Sequence, residues 1–155
     1  MIIRFARITD IPACIELGHQ LHQITRFSRY GFEPERIAAS LHSLITIGQD
    51  QKRSHCLLLA ENSGAQLTGC LLACIERHVF SDQPVASLIT FGVLPQNRMG
   101  GTALKLLDAF KRWAQNRGAF EINAGVNSGL DIDKTDRLMK RLGFEATGGN
   151  YALRL

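Results

Sequence analysis

The stretch Val93-Leu94-Pro95-Gln96-Asn97-Arg98-Met99-Gly100-Gly101-Thr102-Ala103-Leu104-Lys105-Leu106-Leu107 decides how the chain is read. Immediately before it, Val85-Ala86-Ser87-Leu88-Ile89-Thr90-Phe91-Gly92-Val93 is rich in β-branched and apolar residues, the pattern of a buried strand. Pro95 has no N–H to give a ladder, so the strand ends there. Gly100 and Gly101 lack Cβ atoms, which lets a ligand approach the backbone closely. Behind them Ala103, Leu107, Phe110 and Ala114 recur at helical spacing, with Leu106 and Trp113 beside them. This predicts a helix from about Met99 to Asn116, with Gly118 as its C-cap. The first N–H groups of a helix have no internal partner and carry the positive end of its dipole. A strand turning through glycines into such a helix start is a phosphate cradle. A P-loop needs Gly-Lys-Ser/Thr after its glycines, and Gly101 is followed by Thr102-Ala103. A dinucleotide fingerprint needs Gly-x-Gly-x-x-Gly, which Gly100-Gly101 does not supply.

Working outward, Ile2 to Ile8 reads as a first strand, with Thr9-Asp10 as N-cap of a helix running to about Arg26. Cys14, Leu17, Leu21 and Ile24 form its apolar stripe, while His19, His22 and Arg26 share another face. Two histidines at that spacing lack further ligands, so the face is read as polar surface and no metal is expected. After an aromatic and basic loop through Phe32, Glu33-Pro34-Glu35 opens a second helix. Gly48 to Ser54 reads as a connector. His55–Glu61 and Leu67 to about Val79 read as a hairpin turning at Asn62–Gln66, with Gly69 as a bulge or a close approach. Phe120 to Val126 is a further strand. A helix from about Lys134 to Leu142 follows, with Asp133 as N-cap, and Asn150 to Leu155 reads as a final strand. The expected fold is therefore α/β: one domain over residues 1–155, with a central mixed β-sheet flanked by helices.

The composition is that of an ordinary globular chain. It has 155 residues, 45% apolar and 21% charged, enough to bury a core without staples. The net charge is +4, but no run of about five or six Lys or Arg occurs, so nucleic acid is not an expected partner. Cys14, Cys56, Cys70 and Cys74 lie in apolar runs and form no Cys-x-x-Cys, which reads as reduced, buried thiols of a cytoplasmic protein. Arg4 and Arg7 interrupt the first apolar run, so it is not read as a signal peptide. No apolar stretch approaches a membrane span, and no membrane partner is expected.

Arg98-Met99-Gly100-Gly101-Thr102-Ala103 resembles the acyl-CoA-binding loop of the GNAT (GCN5-related) N-acetyltransferases, written Gln/Arg-x-x-Gly-x-Gly/Ala. The element order, the opening with Arg4, Ala6 and Thr9, the Gly69 strand and the ending Arg141-Leu142-Gly143-Phe144 look like that family too, so the resemblance covers essentially the whole chain. It implies acetyl-CoA as acyl donor. The backbone of Arg98, Met99, Gly100, Gly101, Thr102 and Ala103 would grip the pyrophosphate, with charge from Arg98 or Lys105. Phe91, Gly92 and Val93 would offer backbone groups where their strand splays from its neighbour. The acceptor would be an amine on a small molecule or a peptide, met by His22, Arg26, Arg29 and Tyr30 from the first two helices and their loop. A homodimer stays open.

Two of the family's usual residues are replaced. The position of the general-base Glu is Ser87, and the position of the acid Tyr is Met139, whose thioether cannot donate a proton. Glu76 or His78 stands as an alternative base, and Tyr151 as an alternative acid. The same two replacements suit a rival reading, a non-catalytic acyl-CoA-binding module. A small basic interaction protein is a second rival, favoured only by the pI of about 9.1.

Overall fold

A computed structural model describes residues 1–49 and 54–154. The elements in order are β1 (Ile2–Phe5), α1 (Ile11–Ile24), α2 (Pro34–Gln49), β2 (His55–Glu61), β3 (Leu67–Arg77), β4 (Pro84–Val93), α3 (Thr102–Asn116), β5 (Glu121–Ala124) and α4 (Ile132–Arg141). The strands form one sheet in the order β1-β2-β3-β4-β5. The first four are antiparallel neighbours, and β5 joins β4 in parallel. The α/β mixed sheet read from the sequence is thus the sheet observed.

Both faces of the sheet are covered, which is why β2 is buried at every position from Cys56 to Ala60 instead of alternating. On one face α3 supplies Leu106, Leu107, Phe110 and Trp113 against Leu58 and Leu71. Phe110 is 1% exposed and stacks on Trp113 with ring centroids 6.2 Å apart. On the other face Ile45 of α2 packs with Leu57 and Leu59, joined by Ile11 and Cys14 of α1. Arg4 closes one edge: it donates to Asp10 at 2.7 and 2.9 Å and to Glu61 at 2.8 Å. The Asp10 carboxyl is held below its usual range, chiefly by the Arg4 hydrogen bonds. No helix among the described residues is long and apolar enough to cross a membrane.

Several boundaries differ from the sequence reading. The first strand stops at Phe5, and Ile8–Asp10 is a 3-10 turn, because Asp10 accepts the Arg7 N–H and folds the chain back. α1 ends at Ile24, where Thr25 takes an extended backbone and its hydroxyl accepts the Phe27 N–H to start a 3-10 turn over Arg26–Arg29. β3 ends at Arg77, short of Val79, whose neighbours His78 to Gln83 make the hairpin turn. The strand expected over Phe120–Val126 is the four-residue β5. α4 starts at Ile132, one residue before the expected cap Asp133, with Asp131 at the cap position in a left-handed backbone (φ 41°). The expected final strand over Asn150–Leu155 is not formed: residues 144–154 are in neither helix nor strand, and Leu155 lies outside the described residues. The tail is tied to the loop after β5 through a side chain, since the Asn150 amide donates to Val126 O at 3.0 Å. Of the expected connector, residues 50–53 lie outside the described residues, and α2 runs through Gly48 to Gln49.

Gly69 sits beside a bulge and is also a close approach: Ala60 pairs with Gly69 and Glu61 with Leu67, which leaves Thr68 of β3 as the extra residue. A Cβ on Gly69 would meet Gly92 O at 2.9 Å. A second bulge lies between β3 and β4: Leu72 pairs with Thr90 and Ala73 with Leu88, leaving Ile89 of β4 as the extra residue.

Candidate functional site

β4 has two halves. Val85 to Leu88 pair with Glu121 to Ala124 of β5, and the pairing stops there. From Thr90 to Val93 β4 pairs with β3 alone, so the β4–β5 ladder ends at the bulge and leaves a wedge beyond it. Beyond the bulge Thr90 is exposed, and the larger side chains that follow are used in packing. Phe91 and Val93 join the core under α3, and Leu21 of α1 sits so close over Gly92 that a Cβ there would lie 2.7 Å from its Cδ1. What this half of β4 presents toward β5 is backbone.

At the wide end the chain turns into α3. Pro95–Gly100 is a 3-10 turn instead of the first turn of the helix, and Gly101 takes the left-handed conformation (φ 74°) at the N-cap. Pro95 accounts for the difference from the expected start at Met99: it ends the strand, and the tight turn delays the helix to Thr102. No side chain caps α3 and its first turn holds no acidic residue. Nothing lies within 4 Å of where a Cβ would stand on Gly100 or Gly101. The helix start is thus bare backbone N–H beside open space, the arrangement that suits an anion.

The neighbouring side chains divide. Met99 projects outward at 98% exposure. Thr102 turns inward, its hydroxyl donating to Met1 Sδ at 3.0 Å, so only its backbone faces the loop. Arg98 folds back: its Nε donates to Val93 O at 3.1 Å and its guanidinium lies 3.7 Å from Asp131. Lys105 is exposed one turn into α3. Asp131 also pairs with Lys134 at 3.4 Å and lines an open groove of about 450 Å³ with Gly129, Ile132, Asp133 and Arg137. Sequence reasoning missed this groove, because Asp131 reaches Arg98 only through the fold. The acidic start of α4 was the one available signal.

Across the wedge, the loop between α1 and α2 is tied to the loop after β5. The Arg26 N–H donates to Ser128 O at 3.0 Å, its Nε donates to Asn127 O, and Gly129 packs against its stem. The Arg26 guanidinium also lies 4.9 Å from the Phe27 ring centroid. Arg29 stands 5.6 Å over Tyr30, which is 58% exposed. His22 has its Nε2 3.0 Å from Tyr30 O and its ring against Phe32. The four expected acceptor residues therefore share one loop region, but Arg26 and His22 hold that loop in shape.

The residues considered for proton handling separate. Glu76 accepts a 2.6 Å hydrogen bond from the Ser87 hydroxyl. His78 turns its ring toward Phe80 and accepts the Phe80 N–H. Met139 packs against the core under α3. Tyr151 lies on the tail at 97% exposure. All four cysteines are free thiols, and burial pushes Cys14 up to about 11 and Cys56 to about 12. Among the described residues no three His, Cys, Asp or Glu side chains group as a metal site.

Comparison with known proteins matches residues 19–144 to the acetyltransferase (GNAT) family. No relative was found among curated proteins. Solved structures share the fold. One is aminoglycoside N-acetyltransferase AAC(6')-Iy in complex with CoA, with TM-score 0.75 and 24% identity over 99% of this chain and 93% of that one. AAC(6')-IG from Acinetobacter haemolyticus gives TM-score 0.72 and 22% identity over 100% and 98%. The ribosomal-protein-alanine N-acetyltransferase from Brucella melitensis biovar Abortus 2308 gives TM-score 0.70 and 16% identity over 100% of both chains.

Proposed function

Because the chain belongs to the acetyltransferase (GNAT) family, we propose that it transfers an acetyl group from acetyl-CoA to an amine by direct attack. The observation that carries this reading is the wedge between β4 and β5, opening onto the bare start of α3. The donor set fits acetyl-CoA: open space at Gly100 and Gly101, uncapped N–H groups at Thr102 and Ala103, and cationic Lys105 nearby. Acetyl-CoA supplies the activated thioester. This chain supplies the pyrophosphate grip from Arg98 to Ala103, and the backbone of Phe91, Gly92 and Val93 for the acyl arm. It positions the two reactants, which is itself a large source of acceleration. Arg98 serves by bracing the end of β4 against α4; Lys105 is the better-placed charge for the anion.

The acceptor is an amine on a small molecule or a peptide, entering between the Arg26–Tyr30 loop and the wedge. Aminoglycosides and an alanyl peptide are the first amines to try, since the fold is shared with acetyltransferases named for them. The test is paired. Saturating acetyl-CoA raises the melting temperature, because a ligand of the folded state alone stabilises it. Thiol release from acetyl-CoA then depends on added amine. No melting shift with acetyl-CoA sinks the reading. A shift with no thiol release on any amine favours the second reading, a non-catalytic acyl-CoA-binding module, to which the half-buried packing of Met139 against the core lends weight.

A further inference from the structure

We propose that the proton acceptor for the attacking amine is Glu76 on β3, with Ser87 as its positioning residue on β4; this rests on the acetyl-transfer reading above. In the antiparallel register Cys74 lies opposite Ser87 and Val85 opposite Glu76. Glu76 and Ser87 are therefore diagonal neighbours on one face of the sheet. Ile75 and Ala86, the pair between them, belong to the core under α3, so Glu76 and Ser87 point to the opposite face. There the Ser87 hydroxyl donates to Oε2 of Glu76 at 2.6 Å, and Oε1 receives no hydrogen bond from the described residues. One oxygen is anchored and the other is available to an amine.

The location suits the role. Ser87 and Leu88 are the last β4 residues paired with β5 before the strands part. The anchored carboxylate thus stands at the foot of the wedge, about 7 Å along the strand from Ile89 at about 3.3 Å per residue. Asn123 of β5 lies across from Ser87 and adds an amide beside the same spot. The side-chain type missing at position 87 is in this way restored from the neighbouring strand.

Other titratable groups on this face are less well placed. Cys74 lies between Glu76 and Leu72, and its thiol is pushed up by burial and then by Glu76. His55 of β2 is opposite Cys74 and within 3.1 Å of the Ser54 hydroxyl through Nδ1, about 10 Å from Ser87 by strand spacing. His78 is held in the hairpin tip. Glu121 of β5 faces Val85 without a hydroxyl to anchor it. α1 reaches the face at Gly92 through Leu21, and Glu33 before α2 and Arg36 within it line a groove with Leu72, about 13 Å from Glu76 along β3.

In the proposed step the ammonium form of the acceptor loses one proton to Glu76. The freed nitrogen pair forms the C–N bond, the C–S bond breaks, and its electrons leave on the thiolate. The second amine proton neutralises that thiolate, and Glu76 returns its proton to water, so products are the amide, the free thiol and one proton.

The test uses thiol release from acetyl-CoA with kanamycin and with an alanyl peptide, alongside calorimetric acetyl-CoA affinity. E76Q should keep acetyl-CoA affinity and lose about a hundredfold in kcat. Its kcat/KM should climb about tenfold per pH unit with the fraction of free amine, where the wild type stays flatter near neutrality. S87A should lose less than E76Q, E121Q should match the wild type, and the double variant E76Q/S87E should regain rate by carrying the carboxylate on β4. E76Q with wild-type rate and an unchanged pH profile overturns the assignment. Wild-type protein that binds no acetyl-CoA overturns the underlying reading instead.

Discussion

Gly101 is the residue whose replacement separates fold from ligand grip. Its φ of 74° is left-handed, and nothing lies within 4 Å of the Cβ that a substitution would add. The cost of Gly101→Ala is therefore conformational, without a clash, about 1–2 kcal/mol for an L-residue in that region. In a chain of this size that lowers the melting temperature by about 2–4 °C per kcal/mol. Gly101→Asn should cost less, because Asn tolerates the left-handed region. Gly101→Glu carries the same backbone strain as Ala and adds a charge at the anion site. A unit charge about 6 Å from another, at an effective dielectric of about 20, costs about 3 kcal/mol. That is about a hundredfold in affinity. Thermal melts and calorimetric acetyl-CoA titrations of the three variants read both effects. The expectation is small melting losses for Asn and larger, similar ones for Ala and Glu, with a collapse of affinity for Glu alone. Gly101→Glu with wild-type acetyl-CoA affinity refutes the placement of the pyrophosphate at this helix start.

Three further outcomes follow from packing and charge. Gly69→Ala should destabilise by about 1–3 kcal/mol, because its Cβ would meet the backbone oxygen of Gly92 at 2.9 Å, and backbone in a paired strand cannot step aside. Gly92→Ala should cost less in a melt, since the group it meets is the flexible end of Leu21. Asp10, with its carboxyl depressed by Arg4, contributes stability that is fully present above the unfolded value of about 3.9 and is lost as pH falls through the lower folded value. Acid denaturation of Asp10→Asn should therefore show a shallower fall below about pH 4 than the wild type. With Cys14 held near 11 and Cys56 near 12 by burial, native thiols should react with a disulfide reagent at neutral pH far more slowly than in denaturant.

The sequence was most legible where the physics is local. The apolar run of β4, the break at Pro95 and the 3.6-residue stripe of α3 are each written in neighbouring residues, and all three are present. Boundaries slipped where a side chain intervened, as when Asp10 turned the end of β1 by accepting the Arg7 N–H. The last strand failed for a different reason. A strand needs a partner, and the described residues after Gly148-Gly149 pair with no strand; the Asn150 amide reaches the loop after β5 at Val126 O. The site divided along the same line. Gly100 and Gly101 announce themselves by lacking side chains. By contrast, the approach of Glu76 to Ser87 depends on the β3–β4 register, and that of Arg26 to Ser128 on residues about a hundred apart. Neither contact leaves a pattern in the chain itself. Arg98, read as a source of charge, is spent on Val93 O, a use that only the turn geometry reveals.

Acetyl-CoA is proposed to lie in the wedge and on the bare start of α3. Backbone hydrogen exchange with and without acetyl-CoA tests this placement most directly, because the proposed contacts are N–H groups. New protection is expected at Phe91 to Val93 and at Met99 to Leu104, with the far edge of the sheet at β1 unchanged. Protection confined to other segments, or none under saturating acetyl-CoA, contradicts the placement.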